Sequence, residues 1–373
     1  MIMQLLKLVS KQVAIGAPLP FNVRDEAGGL LLACGQILRS EMQLELLLTR
    51  GMYADVEEIK ALAAGRQVAA APPTVFARWN RLTWSLELLL KSVTVEAGFL
   101  AACDEFLDEL MALVDKDADI AIYQSIRQEG HHFRTYGLTH TIHVAALVQL
   151  LGQRLGWPQA QVRSVVQAAL TMNLSIIDLQ GRYAVHGRLT QEQRDELRRH
   201  PDEAVAALRA AGVSDEFWLE AVSQHHEHVD GKGYPLGLSE VAESAKLLRL
   251  ADVFLAKLSR RESRPALDAK EAQRQAYAEL PGSPLVVALI KEYGIYPPGE
   301  LVCLASGEKG VVIRRGATMQ TPLVATLTDK KGMPAINTLK RDCAQREFAI
   351  MAVEADKSLA SRLPLERCYG LTL

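Results

Sequence analysis

Cysteine is scarce in this 373-residue chain, and what there is does not cluster. Cys34, Cys103, Cys303, Cys343 and Cys368 are far apart and never in a CxxC spacing, which excludes a disulfide framework and a zinc–thiolate site and fits a reducing, cytoplasmic setting. An excess of charge of one sign is also missing. With 42 Lys+Arg against 44 Asp+Glu the formal net charge is −2, without the basic surplus that gripping a phosphate backbone requires, so no nucleic-acid partner is expected. No apolar run approaches the roughly 20 residues that span a bilayer. The start, Met1-Ile2-Met3-Gln4-Leu5-Leu6-Lys7, lacks the charged opening, longer apolar run and small-residue cleavage site of a secretory signal, so direct membrane insertion is not expected either. Hydrophobic residues at 49% and charged residues at 23% exclude a disordered or collagenous chain, and the length allows two or three domains with cores of their own.

Three regions differ in pattern. In residues 1–70, Phe21 to Leu32 reads as two strands joined by a turn at Gly28-Gly29, and Ser40 with Gln43 resembles a capping box opening a short helix. This is a small α+β module. Ala69-Ala70-Ala71-Pro72-Pro73 reads as a linker, because two prolines bias the chain toward extended conformations. Residues 75–293 are almost wholly helical in pattern, apolar residues returning every three or four positions as in Leu107, Leu110, Met111 and Val114. Expected breaks fall at Gly130, Gly156-Trp157-Pro158, Gly181, Pro201, Gly212 and Gly231 to Pro235. Residues 294–373 hold short strand-like runs, Leu301–Leu304, Gly310–Ile313 and Pro322–Leu327, and predict a compact β-rich module. The fold class expected is mainly α, with small sheet-bearing modules on either side. Phe76, Trp79 and Trp84 are expected in packing rather than in a cofactor box.

The one uneven count is histidine. All nine lie between His131 and His228, where an even spread would place about 2.4, and imidazole is the side chain best suited to metal ligation and proton transfer near neutral pH. Within this window stands Gln224-His225-His226-Glu227-His228-Val229-Asp230-Gly231-Lys232-Gly233-Tyr234-Pro235. Two adjacent imidazoles followed by an acid and a glycine-rich turn offer neutral nitrogen ligands to a transition metal, while the glycines let backbone approach a ligand closely.

The string resembles, position by position, the HHExxDGxGYP signature of the HD-GYP family, a subgroup of the HD-domain metal phosphohydrolases that includes cyclic di-GMP phosphodiesterases. Thr139-His140-Thr141-Ile142-His143 is similar to the family's first ligand helix, Gly187 to Pro201 to its connector and second ligand helix, and Arg249-Leu250-Ala251-Asp252 to the helix supplying the last ligand. The resemblance implies an all-helical HD-GYP-like domain with metal ligands at His140, His200, His225, His226 and Asp252. It further implies a ligand or partner loop at Gly233, Tyr234 and Pro235, and phosphate contacts from Arg261 and Arg264. Thr190 and Gln193 form a capping box that would aim the helix carrying His200. His131, His132, His143, His186 and His228 match no family ligand position and read as solvated or capping imidazoles.

The pattern breaks where the family has its His-Asp pair, because Met172 and Asn173 occupy those positions. A thioether is a soft ligand unsuited to iron or manganese, and a neutral amide cannot bridge two cations as a carboxylate does. Ile176 replaces a phosphate-binding lysine, and Tyr136 a glutamate that adds a ligand in some members. The catalytic residues are therefore unassigned. The remaining four imidazoles and one carboxylate leave two principal readings open: one divalent iron or manganese ion, or no metal at all. The function implied is a degenerate HD-GYP module that binds or regulates in bacterial cyclic di-GMP signalling, its partner cyclic di-GMP or a GGDEF-type diguanylate cyclase. A metal-dependent cyclic di-GMP phosphodiesterase is the alternative, and a ligand-free interaction scaffold a third reading.

Overall fold

The structure is a computed structural model that describes residues 4–8, 13, 19–26, 28, 30–34, 44, 47, 52–64, 74–93, 98–127, 136–177, 179–180, 189–259, 266–335, 338–354, 356 and 368–370. The Ser40–Gln43 capping box, the linker 69–73, the turns at Gly130 and Gly181, and His131, His132, His186, Arg261 and Arg264 lie outside the described residues. The fold is mainly α with a small antiparallel sheet toward each end of the chain, as the sequence pattern predicts. It packs as two units, Met1–Leu89 and Leu90–Leu373.

The first unit holds β1 (Leu5–Lys7), β2 (Val23–Arg24), β3 (Leu30–Leu32), β4 (Tyr53–Asp55), α1 (Val56–Ala63) and most of α2 (Val75–Ser92). The sheet order is β1-β4-β2-β3. The expected hairpin forms, with Val23 opposite Leu32 and Gly28 at positive φ in the turn. Val23, Leu31, Leu47, Met52, Ala54 and Trp84 close one apolar core, and Phe76 and Trp79 are likewise buried.

In the second unit the helices are α3 (Phe99–Lys116), α4 (Ala118–Ile126), α5 (Tyr136–Arg154), α6 (Gln159–Thr171), α7 (Gln191–Ala210), α8 (Glu216–Gln224), α9 (Glu243–Leu258), α10 (Ala269–Glu279) and α11 (Pro284–Tyr293). α5 is the central helix. Nearly every residue from Gly137 to Gly152 is buried, because α3, α4, α6, α9 and α11 all pack on it. His140 is therefore held in the middle of the bundle. α8 contacts α6, α7 and α9, so three ligand-bearing helices, α7, α8 and α9, are brought together. Among the described residues no helix is long and apolar enough to cross a membrane.

One expected break is absent. Pro201 lies inside α7 rather than at a turn. A proline in a helix interior leaves the carbonyl four residues back without its N–H partner, here Leu197. His200 Nδ1 takes that carbonyl at 2.6 Å, which lets the helix run on. At the other end of α7 the capping box is present with both bonds, Gln193 N to Thr190 Oγ1 at 3.2 Å and Thr190 N to Gln193 Oε1 at 2.9 Å.

β5 (Leu301–Leu304), β6 (Lys309–Arg314), β7 (Leu323–Thr326), β8 (Lys340–Asp342) and β9 (Ile350–Val353) form an antiparallel sheet in the order β8-β7-β6-β5-β9. Alternation along β6 splits its side chains between two cores: Val311 and Ile313 join Tyr123 of α4, and Val312 joins Val302, Leu304 and Val324. Gly299 permits the close approach at this joint, since a Cβ there would lie 2.9 Å from Ile126 Cβ.

Candidate metal and ligand site

His200 comes from the middle of α7, His225 and His226 from the end of α8, and Asp252 from α9. One ring nitrogen from each of His200, His225 and His226 lies within 4.8 Å of the others. His200 Nε2 is 3.1 Å from His225 Nε2, and the ring centres of His225 and His226 are 4.2 Å apart. The tautomers follow from the backbone. His200 Nδ1 donates to Leu197 O and His225 Nδ1 to Val222 O, each at 2.6 Å, and a carbonyl can only accept. Both Nδ1 atoms therefore carry the proton, and in the neutral rings both Nε2 atoms present lone pairs. Burial keeps the rings neutral: it pushes His200 down to about 3, aided by neighbouring His225, and also lowers His225 and His226.

His140 and Asp252 form a separate pair, with His140 Nε2 2.7 Å from Asp252 Oδ1. Burial would raise the Asp252 carboxyl, but the hydrogen bond from His140 and the field of the histidines hold it well below the usual carboxylate range. The ionised Asp252 in turn acts electrostatically on His200, His225 and His226. His140 Nδ1 is buried with no hydrogen-bond partner among the described residues, and the ring stacks on Tyr136 at 5.5 Å. The five candidate ligands thus fall into a triad and a pair.

The loop after the triad is built by Glu227. Its buried carboxylate accepts backbone N–H bonds from Leu236 (2.6 Å), Gly237 (3.1 Å) and Leu238 (2.9 Å). Gly233 is required at its position, because a Cβ would lie 2.4 Å from Glu227 Cα and His228 N. This folding brings the Tyr234 ring over His226, centre to centre 4.5 Å and 21° from parallel. Pro235 continues the loop, half-buried.

Met172 and Asn173 close the end of α6, 0% and 2% exposed. Asn173 Oδ1 finds no partner among the described residues. Ile176 is buried as well. His143 departs from the expectation of a solvated or capping ring: its Nδ1 is buried without a partner among the described residues, and burial together with His140 pushes it down to about 3. The reason is the all-round burial of α5. His228 is not idle either, since its Nε2 accepts from Arg249 Nη2.

Three contributors escape a reading of the sequence alone. Glu227 belongs to the signature string, but its role as acceptor for the next loop is visible only in three dimensions. Arg249 sits one turn before Asp252 and acts on His225, His226 and Tyr234, with no carboxylate partner among the described residues. Its spacing of three from Asp252 was the available signal. Pro201 was legible as a helix breaker, but not as the source of a free carbonyl for His200.

The donor set fits a divalent transition ion. Two nitrogens bound at about 2.0–2.1 Å to one ion lie about 2.8–3.4 Å apart across octahedral to tetrahedral geometry, and the two facing Nε2 atoms are 3.1 Å apart. The pairing of each Nδ1 with a carbonyl is the outer-shell support that metal-bound imidazoles have.

Residues 121–277 match the HD domain family profile. The cyclic di-GMP phosphodiesterase PA4108 of Pseudomonas aeruginosa is 32% identical over 237 residues, covering 60% of this chain and 55% of that protein. The cyclic di-GMP phosphodiesterase response regulator RpfG of Xanthomonas campestris pv. campestris is 31% identical over 143 residues, 37% of this chain and 36% of that one. The chain thus spans about half or less of the length of these curated relatives. A solved structure, Bd1817, a HDG"Y"P protein from Bdellovibrio bacteriovorus, is similar at 16% identity and a TM-score of 0.48, covering 77% of this chain and 99% of that one. Residues 121–277 are an HD domain, and these relatives together with the HHE and DGKGYP segments support an HD-GYP family member.

Proposed function

We propose that residues 75–293 bind cyclic di-GMP and serve bacterial cyclic di-GMP signalling in the cytoplasm as a binding, adaptor or regulatory module with little or no hydrolysis, residues 1–70 and 294–373 being flanking modules. One observation carries the reading: the family's His-Asp positions hold Met172 and Asn173, both sealed in the core, so no carboxylate is available there to bridge two ions. The names of the two relatives support the ligand. Tyr234, Arg249 and, by resemblance, Arg261 and Arg264 are its contacts in this proposal. Retention of the Gly233-Tyr234-Pro235 loop supports a GGDEF-type diguanylate cyclase as partner.

The facing lone pairs of His200 and His225 favour a second reading, a phosphodiesterase working with one iron or manganese ion. When bound, such an ion would activate water and polarise a phosphoryl oxygen. His200, His225 and His226 would hold it, Leu197 and Val222 would keep their rings turned toward it, and Arg249 would offset charge on the phosphate.

The test is an assay of the purified protein with added iron or manganese, beside calorimetric titration of cyclic di-GMP. Binding without turnover is expected, with hydrolysis gained in Met172→His plus Asn173→Asp. Robust metal-dependent turnover that disappears in His225→Ala would overturn the first reading and support the second.

A further inference from the structure

A cavity of about 370 Å³ opens between the last turns of α5 and α11 and the loop after β6. It is far from the histidines: Arg154, which lines it, is 14 residues beyond His140 on α5, about 21 Å along the axis. Three cations line it, Arg154, Lys291 and Arg315. Two are held from behind by carboxylates. Arg154 gives only its Nε to Glu292, and Arg315 gives its Nε to Asp119 and its Nη1 to the side chain and backbone carbonyl of Glu292. Among the described residues no acceptor meets the terminal nitrogens of Arg154, Nη2 of Arg315 or the exposed ammonium of Lys291. Counting Arg314, which pairs with Asp117, four cations face three carboxylates. Tyr296, Met319 and Pro322 also line it.

Offsetting the helix ends would explain a cation in each last turn, but not a cavity between them or a third cation, Arg315, from the loop after β6. Guanidinium groups fixed on one edge and free on the other are pre-organised for phosphate oxygens, and the side chains of Tyr296 and Met319 in the same lining can take a ring. The volume is within the range of small-molecule sites. We infer that this cavity is a binding site for a mononucleotide, its phosphate on Arg154, Lys291 and Arg315 and its base against Tyr296 and Met319. Because Arg315 follows β6 while Arg154 and Glu292 belong to helices, the occupant braces the sheet against the helical layer.

The experiment is calorimetric titration of the full chain, in buffer with EDTA, with GMP, guanosine and pyrophosphate. GMP is expected to bind, guanosine not to, and pyrophosphate to bind more weakly than GMP. Lys291→Glu, at an exposed side chain without an ion pair among the described residues, should weaken GMP by at least about 10-fold, and Arg154→Gln similarly, the loss of one charge-assisted contact. His225→Ala should bind GMP as the unaltered protein does. Equal binding of GMP and guanosine, pyrophosphate as tight as GMP, no binding of GMP, or GMP affinity unchanged in both cation variants would each overturn the site. None of these results bears on the histidine cluster, whose reading stands or falls with cyclic di-GMP.

Discussion

His200 and His225 turn their Nε2 atoms toward each other at 3.1 Å while each Nδ1 is committed to a backbone carbonyl. Two lone pairs at that separation repel unless a cation stands between them, and burial disfavours supplying it as a proton. A divalent transition ion should therefore stabilise the fold. At 100 times its dissociation constant the gain is about 2.7 kcal/mol. Thermal unfolding with manganese, and again after chelation, checks this: the midpoint should rise by several degrees with the ion in the unaltered protein and not in His200→Ala. Equal midpoints with and without ion would count against a metal at the triad.

Acid should destabilise the helical unit earlier than its carboxylates alone require. His143 and His200 are pushed down to about 3 by burial, from an ordinary value near 6.5. Between those values the unfolded chain binds a proton at each that the folded chain refuses. This contribution is therefore complete above about pH 6.5 and is lost as pH falls toward 3, at up to about 1.4 kcal/mol per pH unit for each ring. Urea denaturation at pH 7.5, 6 and 5 should show the decline, and His143→Leu should flatten it. Stability that holds constant from pH 7.5 to 5 would contradict the buried neutral state.

Glu227 holds the loop beyond Tyr234 through three backbone donors, so its substitution should loosen that loop before it unfolds the domain. Glu227→Ala leaves Leu236, Gly237 and Leu238 N–H groups without their acceptor, a loss of about 3 kcal/mol. Hydrogen exchange should accelerate at these three amides, with Glu227→Gln intermediate because it keeps one acceptor oxygen. Unchanged protection in Glu227→Ala would show that the loop is held by other means.

How much of this was legible in the chain follows from the range of the interactions. Local patterns predicted the strands at Val23 and Leu30, the capping box at Thr190 and the helical run from residue 75, because turn chemistry and periodicity act over a few residues. The signature string marked His225 and His226, and resemblance added His200, His140 and Asp252. What it could not convey is grouping. That His140 spends its Nε2 on Asp252, leaving His200, His225 and His226 as a triad, depends on how α5 and α9 pack. The burial of His143 likewise arises from helices distant in sequence, and the Leu197 carbonyl reaches His200 only because α7 continues through Pro201.

Arg249 is a half-buried cation whose Nη2 donates to His228 Nε2, with no carboxylate partner among the described residues, so its charge is available to an anion beside Tyr234. Arg249→Gln should weaken cyclic di-GMP binding by about 10-fold or more, and Arg249→Lys by less, since the charge stays while the planar fork is lost. The salt dependence of binding should fall in parallel. Calorimetry across two ionic strengths measures both. An affinity in Arg249→Gln equal to that of the unaltered protein would remove Arg249 from the site.

Pro201 links backbone to chemistry most directly. Pro201→Ala restores an N–H aimed at Leu197 O, the carbonyl that now holds His200 Nδ1 at 2.6 Å. Helix propensity alone would favour the substitution, since proline is about 3 kcal/mol poorer than alanine in a helix interior. The competing bond, however, frees His200 to rotate or to change tautomer, and weakening such an outer-shell contact lowers metal affinity by about 10- to 100-fold. The variant should therefore unfold at a higher temperature without metal and bind manganese more weakly, two shifts of opposite sign from one substitution. Nitrogen-15 chemical shifts of the His200 ring report the tautomer directly. A ring still protonated at Nδ1 in Pro201→Ala, with unchanged manganese affinity, would show that the carbonyl serves both donors at once.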